Sequence, residues 1–439
     1  MRREDMILVS IDDHIIEPAD LFKGRLPAAH RDQTPRVATF ANGDERWMIE
    51  GKAWAGVGPA AVCGRNRDEL CDEPTRYVDV RKGAFDLDAR IDDMNVNGVL
   101  SSLNFPSLTG FSGEKFTAGK DKALMLALIQ AYNDWHVEEW AGRYPGRIIP
   151  LAMVPLWDVD LAIAELRRMA ARGVRVISFP ENPTSFGQPS IHWGHWDRFF
   201  AEVVDLGMSV AIHIGTSGPL DAPSMESPAL VGTVLLNIKI ADALTDLLFS
   251  PLLTKFPDLR FAMSEGCMGW VPFLRERADA AYRNHKYWTH ADLGGKQPSE
   301  ILAKQFMFCF HEDDFGLSVR HQVGIDQIAW ECDFPHADST WPHSAELLWN
   351  SVKHFPREEI DKITHLNAIR FLDFDPFKFI DHKDATVGAL QAKATHVDTA
   401  LLSGGGLKPV KTGSSMSTAD VLAMFQQGNA SLGEPVGYL

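Results

Sequence analysis

The chain lacks the marks of several protein classes. Its five cysteines (Cys63, Cys71, Cys267, Cys309 and Cys332) are odd in number and form no CxxC pair, so they read as reduced thiols rather than a disulfide framework. Lys/Arg-rich tracts are missing as well. With 43 basic residues against 59 acidic ones, the formal charge is −16, and nucleic acid is not an expected partner. No apolar run approaches the roughly 20 residues that span a bilayer, and the opening MRREDMILVSIDDH has no apolar h-region, so a cytoplasmic protein with no membrane partner is expected. There is no GxSxG, no P-loop and no GxGxxG after a strand, which argues against a nucleophile elbow and a nucleotide cofactor. The Gly404-Gly405-Gly406 run has no strand before it and reads as linker.

What is present is a repeating pattern. At 439 residues and 45% hydrophobic content, the chain is long enough for one barrel of roughly 250 to 400 residues. Eight apolar runs read as strands: 6–11, 99–105, 148–155, 174–180, 209–215, 260–266, 306–310 and 327–335. Helical periodicity fills the gaps, as in KALMLALIQAYNDWHVEEWAGR, DLAIAELRRMAARG and HWDRFFAEVVDLG, the last two ending at a glycine suited to a helix C-terminus. Apolar strands separated by helices imply a covered parallel sheet, and eight such units predict an α/β fold, a (β/α)8 TIM barrel over residues 1–375.

Two stretches break the repeat. Residues 18 to about 83, rich in Pro, Gly, Arg and Trp, read as a long loop or small insertion after the first strand, a lid over the mouth. Residues 376–439 read as a C-terminal extension, partly flexible. In it Ser417 is placed to cap a short amphipathic helix, and the tail either packs on a neighbouring subunit or stays disordered.

Ionisable side chains end four of the apolar runs, where burial without a partner is costly. Alternation puts Asp12 and His14 on one face of the first strand with Asp13 on the other, so the pair is placed to bind one cation. The plainer reading is an Asp-rich turn with His14 bonded to backbone. His213 stands alone in Ser-Val-Ala-Ile-His-Ile-Gly, either as a satisfied core histidine or as a ligand at a strand end. Asp333, after QIAWEC, needs a cation or an Arg. Glu265 is a candidate general base, its alternative an ion pair with Arg275 or Arg277. His311 and His336 belong on the same rim, as catalytic groups or as loop residues in water. Arg65, Arg67, Arg76, Trp47 and Trp54 of the insertion are candidate substrate contacts for a carboxylate and a ring. His192 is a weaker candidate, and His195 marks a helix start.

At these residues the chain resembles the amidohydrolase superfamily, in the branch that includes aminocarboxymuconate-semialdehyde decarboxylase, resorcylate-type decarboxylases and ring-cleavage hydrolases. The likeness rests on Ile11-Asp12-Asp13-His14 through Glu17-Pro18, Ala211-Ile212-His213, Phe256-Pro257-Asp258-Leu259-Arg260-Phe261 with Ser264-Glu265-Gly266, and Cys332-Asp333-Phe334-Pro335-His336. Lesser echoes are Asp93-Met94 and Asn367-Ala368. It implies metal ligands at Asp12, His14, His213 and Asp333, with Asp333 also handling a proton. Two departures stand out. The first strand has Asp-x-His where many members have His-x-His, which adds a hard oxygen ligand and puts zinc first and manganese second. Glu265 stands where a His is common.

These readings predict a hydrolase with one divalent metal, acting on a small organic or aromatic acid through a metal-activated water. The alternative is a metal-dependent non-oxidative decarboxylase of an aromatic or unsaturated acid. A third possibility is a barrel that binds a ligand without catalysis. A homo-oligomer, dimer or larger, is expected.

Overall fold

The computed structural model describes residues 1–70, 73–218, 222–405, 415–423 and 432–439. Cys71, Gly406 and the end of the STADVLAMFQQGN segment lie outside them. Thirteen strands are described: β1 (Leu8–Ile15), β2 (Arg36–Thr39), β3 (Glu45–Ile49), β4 (Lys52–Gly56), β5 (Val99–Pro106), β6 (Ile148–Ile149), β7 (Leu151–Ala152), β8 (Val176–Ser178), β9 (Ser209–His213), β10 (Phe261–Ser264), β11 (Phe306–Phe310), β12 (Ile328–Trp330) and β13 (Gly437–Tyr438).

The fold is α/β with parallel sheets. One sheet runs β1-β5-β6 and a second β7-β8-β9-β10-β11-β12, and every pairing within them is parallel. Pro150 separates β6 from β7. It has no N–H to give to a ladder, so one apolar run is divided at that point between the two sheets. Beyond β12 the chain returns to β1: Asp333 N–H donates to Asp12 O at 2.8 Å and His14 N–H to Phe334 O at 2.7 Å.

These strands are buried along their length because helices cover the outer side, as their unbroken apolar character requires. Inward-facing Val9, Ile11, Leu103, Leu151, Val176, Ala211, Ala262, Met307 and Ala329 form an inner cluster with Phe371 and Leu372. Ser209, the first residue of β9, donates its hydroxyl to Phe371 O at 2.7 Å, so helix Asn367–Leu372 closes the N-terminal end of the strands. The opposite end is left for chemistry.

Helices Val159–Ala170 and Asp197–Asp205 stop just before Gly173 (φ 89°) and Gly207 (φ 66°), the left-handed positions that favour glycine. The third helical run departs from expectation. It is α-helical over Lys122–Trp135 and then widens into a π-turn at His136–Trp140, closed by Ala141 N–H on His136 O at 2.8 Å. That turn lets Trp140 donate to Asn104 Oδ1 at 2.7 Å.

The stretch expected as a long loop or small insertion holds three strands of an antiparallel sheet, β13-β2-β3-β4. Val37 and Trp47, opposite each other across β2 and β3, are both buried. The C-terminal residues dock there on the same chain, with Gly437 opposite Thr39 and Arg36 lying 4.5 Å above the Tyr438 ring. Among the described residues no helix is long and apolar enough to cross a membrane.

Candidate metal centre

A register irregularity in β1 between Ser10 and Asp13 shifts the alternation that points Val9 and Ile11 inward, so Asp12 and His14 face the interior and Asp13 the other side. Asp13 accepts the Phe334 N–H at 2.9 Å and the Ser102 hydroxyl, and its Oδ2 lies 3.9 Å from Arg90 Nη1. Arg90, buried on helix Leu87–Asn97, donates to Gly83 O at 2.6 Å and to His14 O. The backbone that presents Asp12 and His14 is thereby clamped from behind.

On the inner side the residues converge. His14 Nε2 lies 3.1 Å from His213 Nε2, 3.4 Å from Asp12 Oδ1 and 3.3 Å from Asp333 Oδ1. His213 Nε2 lies 3.3 Å from Asp12 Oδ2 and 3.1 Å from Glu265 Oε2, and His336 Nδ1 is 2.8 Å from Asp333 Oδ1. Glu265 (φ 60°) and Asp333 (φ 57°) both hold left-handed backbone at strand ends, a costly conformation for a residue with a Cβ.

The donors fit a divalent cation. Ligating atoms of Asp12, His14, His213 and Glu265 all lie within 4.8 Å of one another, as do those of His14, Glu265, Asp333 and His336. Groups about 2.0 to 2.2 Å from a single ion stand roughly 3.0 to 3.5 Å apart, the spacing seen between these pairs. Both oxygens of Asp12 and of Asp333 are buried without a hydrogen-bond partner. His213 Nδ1 sits 2.6 Å from Ile214 O, so Nδ1 carries the proton and Nε2 presents a lone pair to the cluster.

Electrostatics point the same way. Burial raises Asp12 to about 7 against the pull of His213, and burial with the Glu265 and Asp12 charges raises Asp333 well above the usual carboxylate range. Burial, with neighbouring His336 and His213, holds His14 well below its ordinary value. His213 is driven upward because Asp12 and Glu265 outweigh its burial, and Glu265 is correspondingly lowered by His213 despite burial. The charged forms of Asp12 and Asp333 and the imidazolium of His14 are thus disfavoured, and a cation beside these three groups relieves the carboxylates and takes up the imidazole lone pair.

Among the expected catalytic residues, His336 stacks on His14 with ring centroids 3.7 Å apart. His311 lies on the rim, its Nδ1 accepting the Glu312 N–H at 2.8 Å and its Nε2 3.8 Å from Asp338. The expected substrate contacts are not brought to the cluster, and each has a local reason. Arg65 is buried and gives its guanidinium to Gly404 O (2.9 Å) and Asp79 O (2.6 Å). Arg76 forks onto Asp79 at 2.7 and 2.9 Å, and Arg67 is exposed in the turn Arg67–Glu69. Trp47 is buried against Phe22, ring centroids 5.7 Å apart, and Trp54 packs on Phe116. His192 pairs with Asp246 at 2.7 Å.

Two residues of the site escaped the sequence reading. Phe111 sets its ring 4.2 Å from His213 and 4.7 Å from His14, but it comes from the loop TGFSG, which has no periodicity to expose it. Glu331, fully buried, accepts the Glu265 N–H at 3.1 Å. It stands in the same apolar run as Asp333, so the rule that singled out Asp333 would have found it.

Parallel α/β sheets with a buried His/Asp/Glu cluster at one end define a class of metal-site enzymes. Residues 29–374 match the amidohydrolase family, and the chain belongs to that family. By sequence it is 24% identical over 318 residues to a 2-amino-3-carboxymuconate-6-semialdehyde decarboxylase of Dictyostelium discoideum, covering 69% of this chain and 81% of that one. A gamma-resorcylate decarboxylase of Rhizobium sp. (strain MTP-10005) is 23% identical over 312 residues, covering 66% and 87%. An amidohydrolase structure from Mycobacterium avium subsp. paratuberculosis K-10 superposes with TM-score 0.65 at 20% identity, covering 83% of this chain and 99% of that one. The 5-carboxyvanillate decarboxylase of Novosphingobium aromaticivorans DSM 12444, solved with manganese and 4-hydroxy-3-methoxy-5-nitrobenzoic acid, superposes with TM-score 0.62 at 14% identity, covering 85% and 100%.

Proposed function

We propose that the chain is a divalent-metal-dependent decarboxylase of an aromatic or unsaturated acid, built on a closed (β/α)8 barrel. The observation that carries this reading is the convergence of Asp12, His14, His213 and Glu265, with Asp333 and His336 converging on the same His14 and Glu265, and with both carboxylate oxygens of Asp12 and of Asp333 buried without a hydrogen-bond partner. The relatives named by sequence are decarboxylases, which favours this second of the two expected reactions over hydrolysis. Carboxylate oxygens beside imidazoles suit manganese or zinc.

Asp12, His14, His213 and Asp333 would hold a divalent ion, which would supply positive charge to a substrate carboxylate. The protein's own groups do the rest. Asp333, 2.8 Å from His336, holds the proton destined for the carbon that loses carbon dioxide. Glu265, its Oε2 3.1 Å from His213 Nε2, adds a further carboxylate to the same cluster. Phe111 and Phe105, whose rings lie beside His14 and His213, wall the site against water and offer faces to a planar substrate. The expected homo-oligomer belongs to the same proposal, supported by exposed Leu230, Val234 and Ile238 in one row of helix Ala229–Leu248.

Product analysis decides between the two reactions. A panel of hydroxybenzoates and unsaturated acids in ¹⁸O-labelled water is expected to yield one carbon dioxide per turnover and no label in the organic product. Label in that product without carbon dioxide would establish hydrolysis instead.

A further inference from the structure

The metal cluster is nearly closed to solvent, with Asp12, His14, His213 and Asp333 all buried. Phe111 is only half-buried, and its ring centroid lies 4.2 Å from that of His213, 4.7 Å from His14 and 5.9 Å from His336. One side chain thus leans on three imidazoles of the cluster while part of its surface meets solvent. A ligand that approaches the cluster from this side touches Phe111 on the way in.

Phe111 belongs to the connection that leaves β5, residues 107–113, which has neither helix nor strand to fix it. Three side chains do so instead. Glu17, just past the end of β1, accepts the Ser107 N–H on Oε1 at 3.0 Å and the Leu108 N–H on Oε2 at 2.9 Å. Glu114 accepts the Ser112 N–H and the Ser112 hydroxyl, each at 2.9 Å. Between these two carboxylates the hydroxyl of Ser178, on β8, donates to Phe111 O at 2.6 Å.

Of the three tethers, the one from Glu17 links the loop to the cluster. Only 2% of Glu17 is exposed, and a buried carboxylate is unfavourable unless hydrogen bonds compensate it. Two backbone N–H groups on an ionised carboxylate are strong bonds of this kind, and they engage both of its oxygens. A glutamine would keep one acceptor and set an NH2 group against the other N–H. Glu17 stands three residues after His14, so its grip holds the Phe111 loop in register with the strand that presents Asp12 and His14.

We propose that Phe111 is a specificity-determining residue, its ring favouring a flat, conjugated acid over a puckered one, and that Glu17 is the positioning residue that holds it over the cluster. This role rests on the acid-binding metal site proposed above.

Calorimetric titration of the metal-loaded protein with benzoate and with cyclohexanecarboxylate tests it, since the two acids share charge and carbon count and differ in planarity. The parent is expected to prefer benzoate by roughly three- to tenfold, the worth of one aromatic contact. Phe111→Leu and Glu17→Gln are each expected to bring that ratio close to one. A preference kept in either variant overturns the proposal. Should Glu17→Gln fail to fold, Ser178→Ala releases the Phe111 carbonyl and is read in the same way. Metal content is expected to stay at the parent level in both variants, and its loss in Glu17→Gln would make Glu17 a support of the cluster rather than of the loop. A parent that takes up metal but shows no benzoate preference overturns this proposal alone, whereas a parent that takes up no metal overturns the reading beneath it as well.

Discussion

At the scale of single residues, a carboxylate buried as deeply as Asp12 calls for a compensating charge, and Arg90 stands 3.9 Å from Asp13 instead. Burial also adds to the acid sensitivity of the fold at His136. His136 is held at about 3 by burial alone. Because its folded value is depressed below the unfolded one, its neutral form gives full stability above about pH 6.5, and that stability is lost as pH falls toward 3. Urea unfolding followed across this window is expected to show Glu or Asp-independent softening of about 3 kcal/mol by pH 4 from this one group, absent in His136→Gln. A variant whose acid limb superposes on that of the parent contradicts the assignment. The residues of the cluster were legible in the sequence because each is an ionisable group at the end of an apolar run. The expected arginines were not separable that way: nothing in the composition of the insertion tells that Arg65 and Arg76 are consumed by Gly404 and Asp79.

At the scale of elements, all eight expected strand runs contain parallel strands, since a strand covered on both faces must be apolar throughout. The parts that were not legible are short or depend on distant partners. β2, β3 and β4 are only four or five residues each, and β13 is two residues long and meaningful only because Val37 to Thr39 lie beside it. Deleting residues 436–439 removes the β13 pairing along with the Val436 and Leu439 backbone bonds to Thr39 and Val37. The insertion is then expected to be nicked faster in limited proteolysis, while the parallel strands and bound metal persist. Unchanged cleavage would mean that the C-terminal residues do not brace the insertion.

At the scale of the whole molecule, β1, β9 and β12 bring residues more than 300 positions apart into one buried cluster, and the chain folds them together at the price of stranding several carboxylate oxygens. Metal occupancy should therefore stabilise the fold, by about 2.7 kcal/mol when free metal stands at 100 times its Kd. The most direct measurement is elemental analysis of the purified chain after exposure to manganese or zinc, alongside His213→Ala. The account predicts one divalent ion per chain in the parent and little or none in the variant. A parent that takes up neither metal, or a variant that keeps a full equivalent, contradicts it.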